Sequence, residues 1–300
     1  MGSRASRSAP VDGFRLTFDR FGTPGAPSVL LLHGWPGNRH DYRRLVPLLL
    51  ASGRTLDVVV PDLRGFGGSD KHDVAVSHFY SASAQAASVV GLIAELGLAP
   101  VVIGGYDVGS RVAQSVARMH PDLVHALVLS PPLPGAGERV LTAPAQAEFW
   151  YQAFHQLPLS ARLVDGNHDA VRDYLSHFWS HWSGPGFTLG EDDLDALVAD
   201  YALPGAFTAS IAWYRAGAGT IAQSLTELPP EQAIRIHAPT DVLWPGRDPL
   251  FPPAWSDRLE HYFTDVTLHT APDAGHFTPL ECPDAFARLL LERRTPHPQE

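Results

Sequence analysis

Short apolar runs punctuate the chain, each stopped by glycine, proline or a turn-forming polar residue. Val29-Leu30-Leu31-Leu32 ends at His33-Gly34, Val58-Val59-Val60 at Pro61-Asp62, and Val101-Val102-Ile103 at Gly104-Gly105. Leu127-Val128-Leu129 ends at Ser130-Pro131, Asp241-Val242-Leu243-Trp244 at Pro245-Gly246, and Val266-Thr267-Leu268 comes last. Runs this short and this apolar predict strands buried on both faces of a parallel sheet. Between them, residues 41–51, 83–96 and 110–119 carry apolar side chains at helical spacing. The alternation predicts right-handed βαβ crossovers and an open, mostly parallel, doubly wound α/β sheet. In such a sheet, groups that handle a ligand sit at the carboxyl ends of the strands.

The alternation stops after Leu133. A segment opening with Pro131-Pro132-Leu133-Pro134-Gly135 and closing near Pro229-Pro230 has helical patterning and is dense in aromatic residues and histidine. The expected organisation is a helical cap, residues 134–235, inserted into a core made of residues 1–133 and 236–300. A cap roofs the strand ends, excludes water and supplies an apolar pocket. Most of its aromatic side chains should simply pack cap on core. Phe149, Trp150 and Phe154, with Trp35 and Phe277 from the core, are the candidates for the pocket wall.

Composition narrows the partners. A formal net charge of -10 over 300 residues argues against nucleic acid or an anionic membrane surface. The single cysteine, Cys282, excludes an intrachain disulfide. No apolar run is long enough to span a bilayer. Met1 to Pro10 has arginines but no apolar stretch, so it reads as a polar, mobile tail rather than a secretory signal, and a cytoplasmic protein is expected. The sequence leaves a homodimer open.

The chemistry concentrates at strand ends. Gly105-Tyr106-Asp107-Val108-Gly109 lies between a strand-like run and a helical one, the setting of a nucleophile elbow. Serine is usual at the lifted position; here it is Asp107. A carboxylate there attacks an electrophilic sp³ carbon and becomes an ester of the protein. The plainer reading makes Asp107 the N-cap of the following helix. Asp273-Ala274-Gly275-His276-Phe277 follows the last strand and offers His276 as base. Pro245-Gly246-Arg247-Asp248 ends the strand before it. Asp248 is either a turn residue or the acid that accepts the Nδ1 proton of His276. The chain order is nucleophile, acid, base.

These residues resemble the α/β-hydrolase superfamily over nearly the whole chain, so the α/β-hydrolase fold is expected. His33-Gly34-Trp35-Pro36-Gly37 resembles the oxyanion loop of the epoxide hydrolase and dehalogenase branch. The resemblance implies an oxyanion hole made by the N–H groups of Trp35 and Val108. Pro61-Asp62-Leu63-Arg64-Gly65-Phe66-Gly67-Gly68-Ser69 also recurs in the superfamily. Trp213-Tyr214-Arg215-Ala216 is similar to the cap motif bearing a ring-opening tyrosine. Leu175-Ser176-His177-Phe178 resembles the site where some members carry a tyrosine and others a histidine. The likeness thus implies Tyr214 and His177 as a donor pair to an epoxide oxygen. His177 and His181 have metal-pair spacing, but no acidic companion makes a HExxH pattern. No metal and no cofactor is expected.

The reading is an epoxide hydrolase that forms vicinal diols through a hydroxyalkyl ester on Asp107, with a small-molecule epoxide as partner. The alternative is a haloacid dehalogenase of the fluoroacetate type. That pattern has arginine directly after the nucleophile and again at the fourth residue after it; here Arg111 stands at the second place and Val108 at the first. A third reading, a non-catalytic ligand-binding member of the fold, requires decay of groups that are all present.

Overall fold

The computed structural model describes residues 5–293. The apolar runs form parallel strands: β3 (Ser28–Leu32), β4 (Asp57–Pro61), β5 (Val101–Gly105), β6 (Val124–Leu129), β7 (Thr240–Pro245) and β8 (Val266–Ala271). β3 to β7 are buried at nearly every position, which is why their sequences do not alternate. β1 (Ser6–Arg7) and β2 (Thr17–Gly22) complete an 8-stranded sheet of order β1-β2-β4-β3-β5-β6-β7-β8. Both pair antiparallel, β1 with β2 and β2 with β4. The amino-terminal stretch is therefore tied into the sheet from Ser6 onward. Ser8 is buried, and its Oγ accepts the Leu16 N–H at 2.9 Å. Of the expected polar tail, residues 1–4 lie outside those described, and Ser6–Arg7 form a strand of the sheet.

Helices cover both faces. Those that matter for the site are α1 (Ala82–Leu96) and α2 (Val108–Met119) in the core. Between β6 and β7 the chain runs through helices without a strand, including α3 (Trp150–Gln156), α4 (His168–His181) and α5 (Ala212–Arg215). α4 lays Val171, Leu175, Phe178 and Trp179 inward. The Trp179 Nε1–H donates to the Pro36 carbonyl at 3.0 Å, and the Tyr201 hydroxyl to the Gly37 carbonyl at 2.8 Å. These bonds seat the helical segment on the loop that follows β3. Its buried side chains belong to the same hydrophobic cluster as the sheet. Among the described residues, no helix is long and apolar enough to cross a membrane.

β5 passes into α2 through one sharp turn. Asp107 adopts φ 49°, ψ -124°, a region that non-glycine residues occupy only under constraint. Gly109, two residues later, is pressed against the end of β3. A Cβ added there would lie 1.9 Å from the Leu32 carbonyl oxygen. Gly109→Ala should therefore displace the turn or β3 and cost more than about 2 kcal/mol. Gly53→Ala, at φ +77° with open space around it, should cost only the local backbone strain, about 1 kcal/mol. Urea midpoints of the two variants measure the difference.

Candidate active site

The turn lifts Asp107 toward the loop after the adjacent strand β3 and the loop after the edge strand β8. Its Oδ1 accepts the Trp35 N–H at 2.7 Å. Its Oδ2 lies 3.4 Å from Nε2 of His276. The two oxygens of one carboxylate are thereby given different partners. His276 Nδ1 lies 2.8 Å from Asp248 Oδ2, and Asp248 Oδ1 accepts the Leu250 N–H at 2.8 Å. Asp107, Asp248 and His276, expected from the sequence as one group, are brought into one line and are all buried. Val108 is the first residue of α2, and Asp107 places no side-chain cap on that helix. The N-cap reading of Asp107 therefore has no side-chain hydrogen bond behind it.

The loop carrying Trp35 is held by His33. Burial pushes the His33 imidazole below its ordinary pKa, against the nearby charge of Asp62. Its Nε2 accepts the Leu63 N–H at 3.0 Å, so the ring proton sits on Nδ1, 2.9 Å from the Gly34 carbonyl. One neutral ring therefore joins the loop after β4 to the loop after β3. On the other side, Glu281 accepts three backbone N–H groups. Oε2 takes Gly184 at 2.8 Å and Gly275 at 2.7 Å, and Oε1 takes Phe277 at 2.9 Å. The His276 N–H donates to the Trp182 carbonyl at 2.8 Å. The loop bearing His276 is thus stitched to the helical segment above it.

Electrostatics favour a charged His276. Burial alone would lower its pKa, but Asp248 and Asp107 overcome that and raise it to about 10. Removing the negative charge of Asp107 would remove part of what holds the proton.

The other expected residues are distributed unevenly. Tyr214, on α5, is buried. Its ring meets that of Tyr151 edge-on at 5.6 Å and 89°, and burial, then Tyr151 and Asp107, raise its pKa well above the ordinary range. Tyr151, on α3, is also raised, by burial first and then by Asp107, and it accepts from Gln152 at 3.2 Å. The Trp35 indole lies flat against Tyr151, with centroids 5.5 Å apart at 4°, and meets Tyr214 edge-on at 5.8 Å and 89°. His177 stands elsewhere. It is exposed, stacks on His181 at 5.6 Å and lies 6.1 Å from Trp150, while His181 Nε2 pairs with Glu148 at 2.7 Å. Burial and then His181 lower its pKa, and the charge of Asp107 does not contribute.

Of the candidate wall residues, Trp35, Phe149 and Phe277 are buried and Phe154 partly so, but Trp150 is 42% exposed. Phe277 stacks on Trp179 at 3.7 Å, and Phe149 packs on Phe251. Arg111 is buried and gives both terminal nitrogens to Glu227, at 3.1 Å each. Sequence reasoning missed Tyr151, His33 and Glu281. Tyr151 stands in the run Phe149-Trp150-Tyr151, and only the register of α3 tells which ring turns inward.

A family model described as alpha/beta hydrolase fold matches residues 27–283. The chain is 28% identical to a soluble epoxide hydrolase of Corynebacterium sp. (strain C12), with 95% of each chain covered. It is 30% identical to a fluoroacetate dehalogenase of Burkholderia sp., with 89% of this chain and 86% of that one covered. The crystal structure of wild-type Cfl2 from Burkholderia cenocepacia superposes with a TM-score of 0.79 at 28% identity, covering 97% and 95% of the two chains.

The raised pKa of His276 has a consequence for stability. A histidine whose pKa rises on folding stabilises the folded state fully below its unfolded value of about 6.5. That contribution fades as pH climbs toward about 10, the folded value. The stability advantage of the wild type over His276→Gln should therefore be largest below pH 6.5 and shrink steadily up to pH 10. Denaturant titrations of both proteins across that window check the sign.

Proposed function

This chain belongs to the alpha/beta-hydrolase fold family, and we propose that within it the protein is an epoxide hydrolase with Asp107 as nucleophile. The observation that carries this reading is the pair of buried tyrosines, Tyr151 and Tyr214, whose rings lie 5.6 Å apart, packed around Trp35 and under the charge of Asp107. Epoxide opening needs proton donors to the ring oxygen on the side away from the attacking carboxylate. Tyr151 takes the place that the sequence suggested for His177.

The different partners of the Asp107 oxygens divide the work. Oδ1, held by the Trp35 N–H, becomes the ester carbonyl; Oδ2 attacks carbon. The opening oxygen takes a proton from the tyrosine pair, which His276 then replenishes. Esterification cancels the Asp107 charge, so burial now favours a neutral His276, which can deprotonate a water. That water adds to Cγ of Asp107 while Oδ1 collects negative charge facing the Trp35 and Val108 amides. Collapse expels the diol, and the carboxyl proton left on Asp107 goes to the departing oxygen. Asp248 keeps His276 in orientation throughout. No metal or organic cofactor enters this scheme.

The dehalogenase reading rests on the relative named above. Against it stands the ion pair that commits Arg111 to Glu227 rather than to a substrate carboxylate.

Asp107→Asn should lose diol formation. His276→Gln should accumulate an ester seen as a mass increase, equal to one epoxide, on the peptide holding Asp107. Tyr151→Phe and Tyr214→Phe should each lower kcat by roughly 10²-fold, the size expected of a positioned acid, whereas His177→Phe should change it less than about threefold. Halide release from haloacids without diol formation from any epoxide would overturn the assignment.

A further inference from the structure

His155 is a fully buried histidine enclosed by aromatic rings. Its ring lies 4.9 Å from Trp35, 4.8 Å from Tyr214, 5.5 Å from Tyr151 and 6.0 Å from Phe207. Nε2 is 3.0 Å from the Tyr174 hydroxyl, while Nδ1 is buried with no hydrogen-bond partner among the described residues. Burial, with Arg215 in support, pushes the ring well below its ordinary pKa, so it is a neutral imidazole. A phenylalanine would fill this box without a desolvated nitrogen. An unpaired buried polar atom is costly, and a native structure that keeps one usually needs it for something.

The place of the ring narrows what that something is. The same Trp35 indole touches His155 on one edge, stacks on Tyr151, and gives its backbone N–H to Asp107. His155 therefore adjoins both rings of the tyrosine pair and the indole that touches the nucleophile's loop. It is sealed from solvent to the same degree as His276 and Tyr214.

We propose that His155 is a specificity-determining residue whose Nδ1 binds an uncharged oxygen on the substituent of the substrate, so that the preferred epoxides carry a hydroxyl group. A hydroxyl fits because it can donate or accept. If the Tyr174 hydroxyl donates to Nε2, Nδ1 carries the proton and donates to the substrate. If Nε2 donates to Tyr174, Nδ1 accepts instead. This assignment rests on the epoxide reading of the site and adds the substrate class to it.

The test compares terminal alkyl epoxides with isosteres in which one methylene or methyl is replaced by a hydroxyl-bearing carbon, moved position by position along the chain. For the wild type, kcat/KM should peak at one hydroxyl position, about 5- to 150-fold above the hydrocarbon isostere. His155→Phe should abolish that peak, so that within the variant the hydroxylated epoxide and its hydrocarbon isostere have the same kcat/KM, with the lost ratio falling mainly on KM. Tyr174→Phe, which releases Nε2 but keeps the ring, should weaken the peak without abolishing it. If alkyl and hydroxylated epoxides are turned over alike by the wild type, or His155→Phe keeps the preference, this inference fails and the epoxide reading stands. If no epoxide yields diol, both fail.

Discussion

The backbone turn at Asp107 is the constraint on which the site depends. A positive φ at a residue with a Cβ survives only where its surroundings over-determine it. Here Leu32 closes on Gly109 from one side, and the Asp107 N–H donates to the Pro131 carbonyl at 3.0 Å on the other. The turn puts Asp107 within reach of loops from β3 and β8 at once, which no position inside a regular strand or helix would do. It also points the carboxylate so that its two oxygens meet unlike neighbours, an amide and an imidazole. The buried strands supply rigidity to the turn, and the loops supply chemistry at its tip.

The helical segment contributes more than a roof. Trp35 is where core and roof meet: its backbone belongs to the loop after β3, and its indole is boxed by Tyr151, His155, Phe178, Trp182 and Tyr214. Each ring that packs there buries apolar area, and four of them also bring a hydroxyl or ring nitrogen into a buried space. In such a space an unsolvated hydroxyl bond is worth more than in water. Packing and polarity come from the same side chains.

The core was legible in the sequence because doubly buried parallel strands must be apolar throughout, and those of β3 to β7 are. β1 and β2 were not. β1 is two residues long, and Thr17–Gly22 is only half covered, so its residues vary between buried and partly exposed. Asp107, Asp248 and His276 could be read because strand-end loops with glycine or proline mark their places. The helical segment gave less. His177 and Tyr151 both lie in aromatic-rich helices, and the sequence does not say which face of a short helix turns inward. α4 has its buried stripe at Val171, Leu175, Phe178 and Trp179, which leaves His177 at the margin. Arg111 was ambiguous for a different reason: its partner Glu227 is distant in the chain, and only the fold brings them together.

Glu281 holds Gly184 of the roof and Gly275 and Phe277 of the His276 loop with a single carboxylate. Nearby, the His276 amide is bonded to Trp182. Moving the helical segment away at this corner therefore breaks the two bonds that tie the His276 loop to it, while Asp248 still holds the imidazole. Movement of the helical segment away from the core at this corner and movement of the His276 loop are thus one mechanical degree of freedom. A conformation open at this corner is one in which the loop of His276 has lost its bonds to Gly184 and Trp182.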